Sequence, residues 1–260
     1  MNRGVSSCEP GIQAELCTAR TASQELRPPD LHVPWLGRME FTRAFALQEE
    51  IVSSKRDDGS VEDQLLLLEH EPVYTIGRTP DRSSLSGRPT AAGVRRDELD
   101  VAHLPHPFFA INRGGQATYH GPGQLIGYPI IDLRRCGHDL HKYLRWLEQL
   151  LIDVLAVHDI AASRRESLTG VWVGDRKIAS IGVGVRHWIT MHGFALNACG
   201  DLSPFSHIVP CGINNIVMTS MEKETGVVFS ISRVAPSIEK LALERIGDLR
   251  LVREARPINA

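Results

Sequence analysis

Hydrophobic residues along the chain fall mostly into short runs, punctuated by Gly- and Pro-bearing breaks. Residues up to about Asp30 are polar, rich in Ser and Thr and end in "RPPD", where paired prolines block regular structure, so an N-terminal extension is expected over 1–33. In "MEFTRAFALQEEIVSSK", Phe41, Phe45, Leu47 and Ile51 lie near helical spacing and predict a first helix. "DQLLLLEH" and "PVYTIGR" are short apolar runs separated at Pro72, as two strands would be. Thr79 to Gly93 is rich in Ser, Pro and Gly and predicts a long loop. "PFFAIN" then reads as a strand leading into the loop "RGGQATYHGPGQ", and "LIGYPIIDL" as the strand that leaves it.

The strongest helical pattern is "DLHKYLRWLEQLLIDVLAVH". Leu140, Leu144, Leu147, Leu151 and Val154 recur at four- and three-residue steps behind a potential Asp139 cap. "GVWVG", "RKIASIGVGVR" and "WITMHGFALN" follow as strands, and "PSIEKLALERIG" as a last helix. In the second of these strands Ala179, Ile181, Val183 and Val185 alternate with Ser180, Gly182 and Gly184, leaving one face nearly bare. Such a face marks close approach by a ligand or another backbone. By strict alternation Lys177 falls on the apolar side. Strands with few helices and no regular βαβ rhythm predict an α+β fold, a mixed sheet flanked by helices. One catalytic domain is expected over 34–248, with a polar tail over 249–260.

Composition narrows the class. The 260 residues are 42% hydrophobic and 23% charged with net charge −2, which suits one globular domain and offers no footprint for nucleic acid. No run is long enough to span a bilayer, and the N-terminus lacks the apolar centre of a signal peptide. The five cysteines (Cys8, Cys17, Cys136, Cys199 and Cys211) are odd in number and irregularly spaced, which predicts reduced thiols and a cytoplasmic protein.

Three stretches carry candidate chemistry. Of Gly114–Gln124, five residues are Gly or Pro, around the pair Tyr119–His120. Glycines there either let backbone N–H groups approach a ligand or merely relieve a long turn. Lys177 either snorkels to solvent or is desolvated and able to exchange a proton near neutrality. Cys211, between Pro210 and Gly212, sits on a constrained turn that would present its thiol, with His120, His192 and Lys177 on elements able to converge on it. "CGHDLHK" places Cys136, His138 and His141 together, but three ligands at a helix start without a second cysteine pair argue against zinc. No metal site is expected there or at His120, His192 and Cys211.

Together "LLLLEHEPVYTIGR", "RGGQATYHGPGQLIGYPIIDL", "KIASIGVGVRHWITMHGFALN" and "DLSPFSHIVPCGI" closely resemble the lipoyl(octanoyl) transferases of the biotin/lipoate protein ligase superfamily, from about Leu36 to Val228. The resemblance implies octanoyl transfer from acyl carrier protein to a lysine of a lipoyl domain, in 2-oxoacid dehydrogenase complexes or the glycine cleavage carrier protein. It implies a ping-pong route through a thioester on Cys211, with Lys177 favouring the thiolate and shuttling protons, and neither cofactor nor ATP. By resemblance the acyl pocket is lined by Arg113, Gly114, Gly115, Gln116, Ala117, Thr118, Tyr119 and His120, by Ser180, Ile181 and Gly182, and by Gly193, Phe194 and Ala195. The bare face of the Lys177 strand would receive the acyl chain. Arg78, Arg82, Arg113 and Arg186 are candidates for a basic rim facing an acidic carrier. The nearest rival is an ATP-dependent ligase of the same fold, which needs the lysine but no nucleophilic cysteine. A cysteine-using amidotransferase and a non-catalytic carrier-binding protein are more distant rivals.

Overall fold

The computed structural model describes residues 31–78, 85, 101–213 and 215–250. The chain up to residue 30, nearly all of the loop expected over Thr79 to Gly93, Arg82 and the tail beyond 250 lie outside the described residues.

The strands are β1 (Leu31–His32), β2 (Trp35–Met39), β3 (Asp63–His70), β4 (Val73–Ile76), β5 (Phe108–Ala110), β6 (Ala117–His120), β7 (Gln124–Ile130), β8 (Ser163–Arg165), β9 (Leu168–Val173), β10 (Arg176–Arg186), β11 (Ile189–Asn197) and β12 (Val217–Met218). The helices are α1 (Phe41–Asp57), α2 (Leu140–Val157), α3 (Met221–Thr225) and α4 (Ile231–Arg250). The large mixed sheet runs β1-β3-β7-β11-β10-β9-β8, with β2 also on β3 and β12 on β10; β5-β4-β6 form a small second sheet. This is the expected α+β architecture.

The four leucines of β3 show why a sheet forms here. Leu65 and Leu67 face the core under α2 and α4, while Leu66 and Leu68 face the core under α1. A strand buried on both faces reads as an unbroken apolar run. α2 begins where Asp139 caps it, its carboxylate accepting the Lys142 N–H at 2.9 Å. Leu147, Leu151 and Val154 are buried at the centre of this core, against α4 and the sheet. No described helix is long and apolar enough to cross a membrane.

Several boundaries move. Leu31 and His32, expected in the extension, pair in parallel with Asp63 and Gln64. Leu249 and Arg250, expected in the tail, end α4: Leu249 is buried and Arg250 bonds Asp63 at 2.7 Å. α4 starts five residues before Pro236, which it carries inside at the cost of a bond to the carbonyl of exposed Ser232. The buried stripe of α1 is Phe41, Ala44, Gln48, Ile51, Val52 and Lys55, with Phe45 and Leu47 half-buried beside it. The stretch expected as one loop from Arg113 to Gln124 contains β6, paired antiparallel to β4.

Candidate active site

Both sheets contribute to one cavity of about 420 Å³. Its walls come from the loop before β6, from β6 itself, from the middle of β10 and β11, and from the Cys211 turn. Cys211 has φ 56° and ψ 14°, a left-handed conformation that costs a non-glycine residue about 1–2 kcal/mol. Pro210 and two turn bonds hold it there, Gly212 N–H to Val209 O at 3.0 Å and Ile213 N–H to Pro210 O at 3.1 Å. Backbone strain of this kind persists where the surroundings over-determine a functional geometry.

Lys177 meets the thiol. Its Nζ donates to Cys211 Sγ at 3.2 Å, and the side chain is buried. Ser180 Oγ lies 4.0 Å from the same sulfur. Strict alternation had placed Lys177 with Ala179, Ile181 and Val183. The structure instead has a β-bulge between Lys177 and Ala179, where two steps on β10 match one on β9. The extra residue turns Ile178 and Ala179 both into the core, and brings Lys177 to the sulfur along with Ser180. Gly170 clears the path: a Cβ there would stand 2.7 Å from Lys177 Cε, and its φ of +126° is one that glycine alone adopts freely.

The bare face of β10 is only partly free for a ligand. The segment 112–114 of the same chain lies on it, with Gly114 N–H bonded to Val183 O at 2.8 Å. A Cβ on Gly182 would stand 2.9 Å from Arg113 Cδ, so the missing side chain admits this loop. Arg113 is buried and is no part of a surface rim. Its guanidinium bonds Thr75 O, Thr75 Oγ1, Gln116 O and Gly114 O at 2.9–3.1 Å, closing the loop on itself. Burial pulls Arg113 down to about 10, still cationic at neutral pH. Arg78 and Arg186 are exposed.

The expected lining residues divide. Gly114, Gly115, Gln116, Thr118, His120, Ser180, Ile181, Gly182, Gly193, Phe194 and Ala195 line the cavity with Arg113, Lys177 and Cys211. Ala117 and Tyr119 lie on the opposite side of β6, packed with Tyr74, Phe205 and Ile208, because side chains alternate along a strand. His192, singled out beside Cys211 in the sequence, is also in the wall, and Phe41, Ile111, Tyr128, Leu140, Leu144 and Leu168 join it from positions with no signal for a site. Leu140 is 36% exposed and Leu144 half-buried, so the first turns of the α2 stripe face the cavity rather than the core.

The histidines in and beside this wall are held neutral. Burial lowers His120 to about 3, helped by His70; it lowers His192 to about 3 and His70 to about 4. Each has a neutral partner: His120 with Gln124 Oε1 at 2.8 Å, His192 with Asn112 Oδ1 at 2.7 Å, His70 with Tyr128 OH at 2.7 Å. Gln124 continues to Asn197 Oδ1 at 2.8 Å, tying β6 to β7 and β11. Cys136 is buried and bonded to Asp132 O, away from this wall.

A cleft between two sheets holds a buried amine bonded to a thiol on a strained turn, an arrangement able to pair a nucleophile with a proton carrier. The chain belongs to the lipoyl protein ligase A/B catalytic domain family, which it matches over residues 40–241. It is 48% identical over 203 residues to an octanoyltransferase of Geobacter sulfurreducens, covering 78% of this chain and 79% of that protein. It is 50% identical over 191 residues to an octanoyltransferase of Geotalea uraniireducens, covering 74% and 81%. Among solved structures it resembles a bipartite lipoate protein ligase of Thermoplasma acidophilum (TM-score 0.62, 17% identity, 84% of each chain). It also resembles a lipoate-protein ligase A bound with ATP (TM-score 0.60, 17% identity, 85% of this chain and 86% of the other). At those identities the structural likeness speaks to fold alone.

Proposed function

We propose that the protein transfers an octanoyl group from acyl carrier protein to a lysine of lipoyl domains, through a thioester on Cys211 and without ATP. The observation that carries this reading is the 3.2 Å contact between Lys177 Nζ and Cys211 Sγ at the cavity wall. The curated relatives are octanoyltransferases, and the archaeal ligase structure was described together with an E2 lipoyl domain. The acceptors inferred are the lipoyl domains of 2-oxoacid dehydrogenase complexes and the glycine cleavage carrier protein.

An ammonium beside the thiol favours the thiolate, the reactive form. The thiolate attacks the carrier's thioester carbonyl; the Cys211 S–C bond forms and the carrier's S–C bond breaks. The departing carrier sulfur takes a proton from Lys177 and leaves as a thiol. Lys177, now a neutral amine, removes a proton from the acceptor's ammonium. The acceptor nitrogen then attacks, its C–N bond forms, a second proton passes to solvent and Cys211 leaves as thiolate beside the restored ammonium. One thioester is exchanged for another before the amide forms, so no acid needs activation by a nucleotide. A wall of neutral histidines and apolar side chains suits an uncharged acyl chain.

The test is transfer to a purified lipoyl domain from octanoyl-acyl carrier protein with nucleotides removed. The domain gains one octanoyl mass with the wild-type protein and none with Cys211→Ser. Labelling that requires ATP and free octanoate would replace this reading with the ligase.

A further inference from the structure

Lys177 is a buried cation without a permanent anion. Among the described residues no carboxylate lies within ion-pair distance of it; its polar partner is Cys211 Sγ. Glu148 on α2 reaches the neighbouring Gly170, and its oxygens are committed to Gly170 N–H at 3.2 Å, Arg145 at 2.6 Å and Arg164 at 3.1 Å. From β12 come the apolar Met218, paired with Lys177 across the strands, and the Thr219 N–H on the Lys177 carbonyl. Arg113 faces the same sulfur from the opposite loop, and the neutral His120 and His192 share the cavity.

The second contact to the ammonium is aromatic. Trp172 is the cross-strand partner of Lys177, is 1% exposed, and has its ring centroid 5.3 Å from Lys177 Nζ. Arg165 Cζ lies 5.0 Å from the same centroid and is paired with Asp175 at 2.9 Å. An indole face attracts a cation within about 6 Å and does nothing comparable for a neutral amine.

We propose that Trp172 is a positioning residue for Lys177, its indole face holding the ammonium against Cys211 in the resting enzyme and loosening its hold once the proton has passed to the departing carrier sulfur. This rests on the thiol–lysine reading above and deepens it. While Cys211 is a thiolate, the ammonium has both an anion and the ring. When Cys211 carries an acyl group and Lys177 is the neutral amine, both attractions have gone. With no permanent anion beside it, the amine does not readily regain the proton given to the departing carrier sulfur. The amine is then ready to take a proton from the acceptor. Trp172 thus keeps the charged Lys177 aimed at the sulfur for the first half-reaction without locking it in the charged state, as a carboxylate would.

The test is the pH dependence of Cys211 alkylation by iodoacetamide, read by mass on the Cys211 peptide, for wild type, Lys177→Met, Trp172→Leu and Trp172→Phe. Lys177→Met raises the alkylation midpoint most; Trp172→Leu raises it by about one pH unit and Trp172→Phe by less. Because Trp172 is buried, the same profile is measured on wild type grown with mono-, di- and trifluorinated tryptophan. Fluorination weakens the π face while nearly keeping the ring's shape, and it moves the midpoint up in steps. Those steps disappear in the Trp172→Phe background. If Lys177→Met moves the midpoint while fluorination and a folded Trp172→Leu do not, Trp172 only packs and the proposal is overturned. If Lys177→Met leaves the midpoint where it was, the thiol–lysine reading itself fails.

Discussion

Two lysines in this molecule are buried to the same degree, Lys55 and Lys177, each 1% exposed. Lys55, on α1, bonds Asp63 at 2.9 Å and Val61 O at 2.8 Å; Asp63 also receives Arg250 from the end of α4 at 2.7 Å. That carboxylate joins two helices to the start of β3 and is fully buried. Lys177 has a thiol and an indole face instead. The first lysine is neutralised by a charge that stays; in the proposed mechanism the second faces a charge that acylation removes. A structural site and a reactive site here differ less in burial than in whether the counter-charge is permanent.

Changes at the two sites should therefore separate activity from stability. Cys211→Ser loses octanoyl transfer by on the order of a thousandfold or more while the melting temperature hardly moves, checked by transfer assay and calorimetry. Lys177→Met costs about 10²–10⁴-fold in transfer, and its thermal stability is equal or higher because no carboxylate is orphaned. Asp63→Asn is the converse. It leaves Lys55 and Arg250 buried without their anion and costs about 3–5 kcal/mol in urea unfolding, with activity per folded molecule retained. Gly170→Ala should fall between, displacing Lys177 and straining the backbone, with transfer reduced about tenfold to a hundredfold.

A further effect concerns pH. His70, His120 and His192 titrate below their unfolded value of about 6.5, so the unfolded chain binds protons before the native one does. Stability is complete above that value and declines as pH falls from about 6.5 toward the folded values of about 3 and 4. Urea unfolding at successive pH values checks the sign, and His120→Gln should flatten the slope.

Much of this arrangement is legible in the residues. The leucine run of β3, the Asp139 cap and the leucine stripe of α2 declare themselves through period and composition. The turn at Cys211 is visible as Pro210 and Gly212 around a thiol. The β10 bulge is not visible: "RKIASIGVGVR" alternates regularly on paper, and only pairing with β9 reveals the extra residue that turns Lys177 toward Cys211. The fate of Arg113 was hidden likewise, since its partners Thr75 and Gln116 sit on separate strands or loops. Reading the Arg113–Gln124 stretch as one loop also concealed that Ala117 and Tyr119 alternate away from Thr118 and His120. Trp172 gave no signal because its role depends on what lies across the strand.

The most direct measurement is intact mass after mixing the protein with octanoyl-acyl carrier protein in the absence of ATP. The account predicts one octanoyl adduct on the wild-type chain, none on Cys211→Ser, and discharge of the adduct when a lipoyl domain is added. An unmodified wild-type chain under conditions where the lipoyl domain still becomes octanoylated would contradict the acyl-cysteine intermediate.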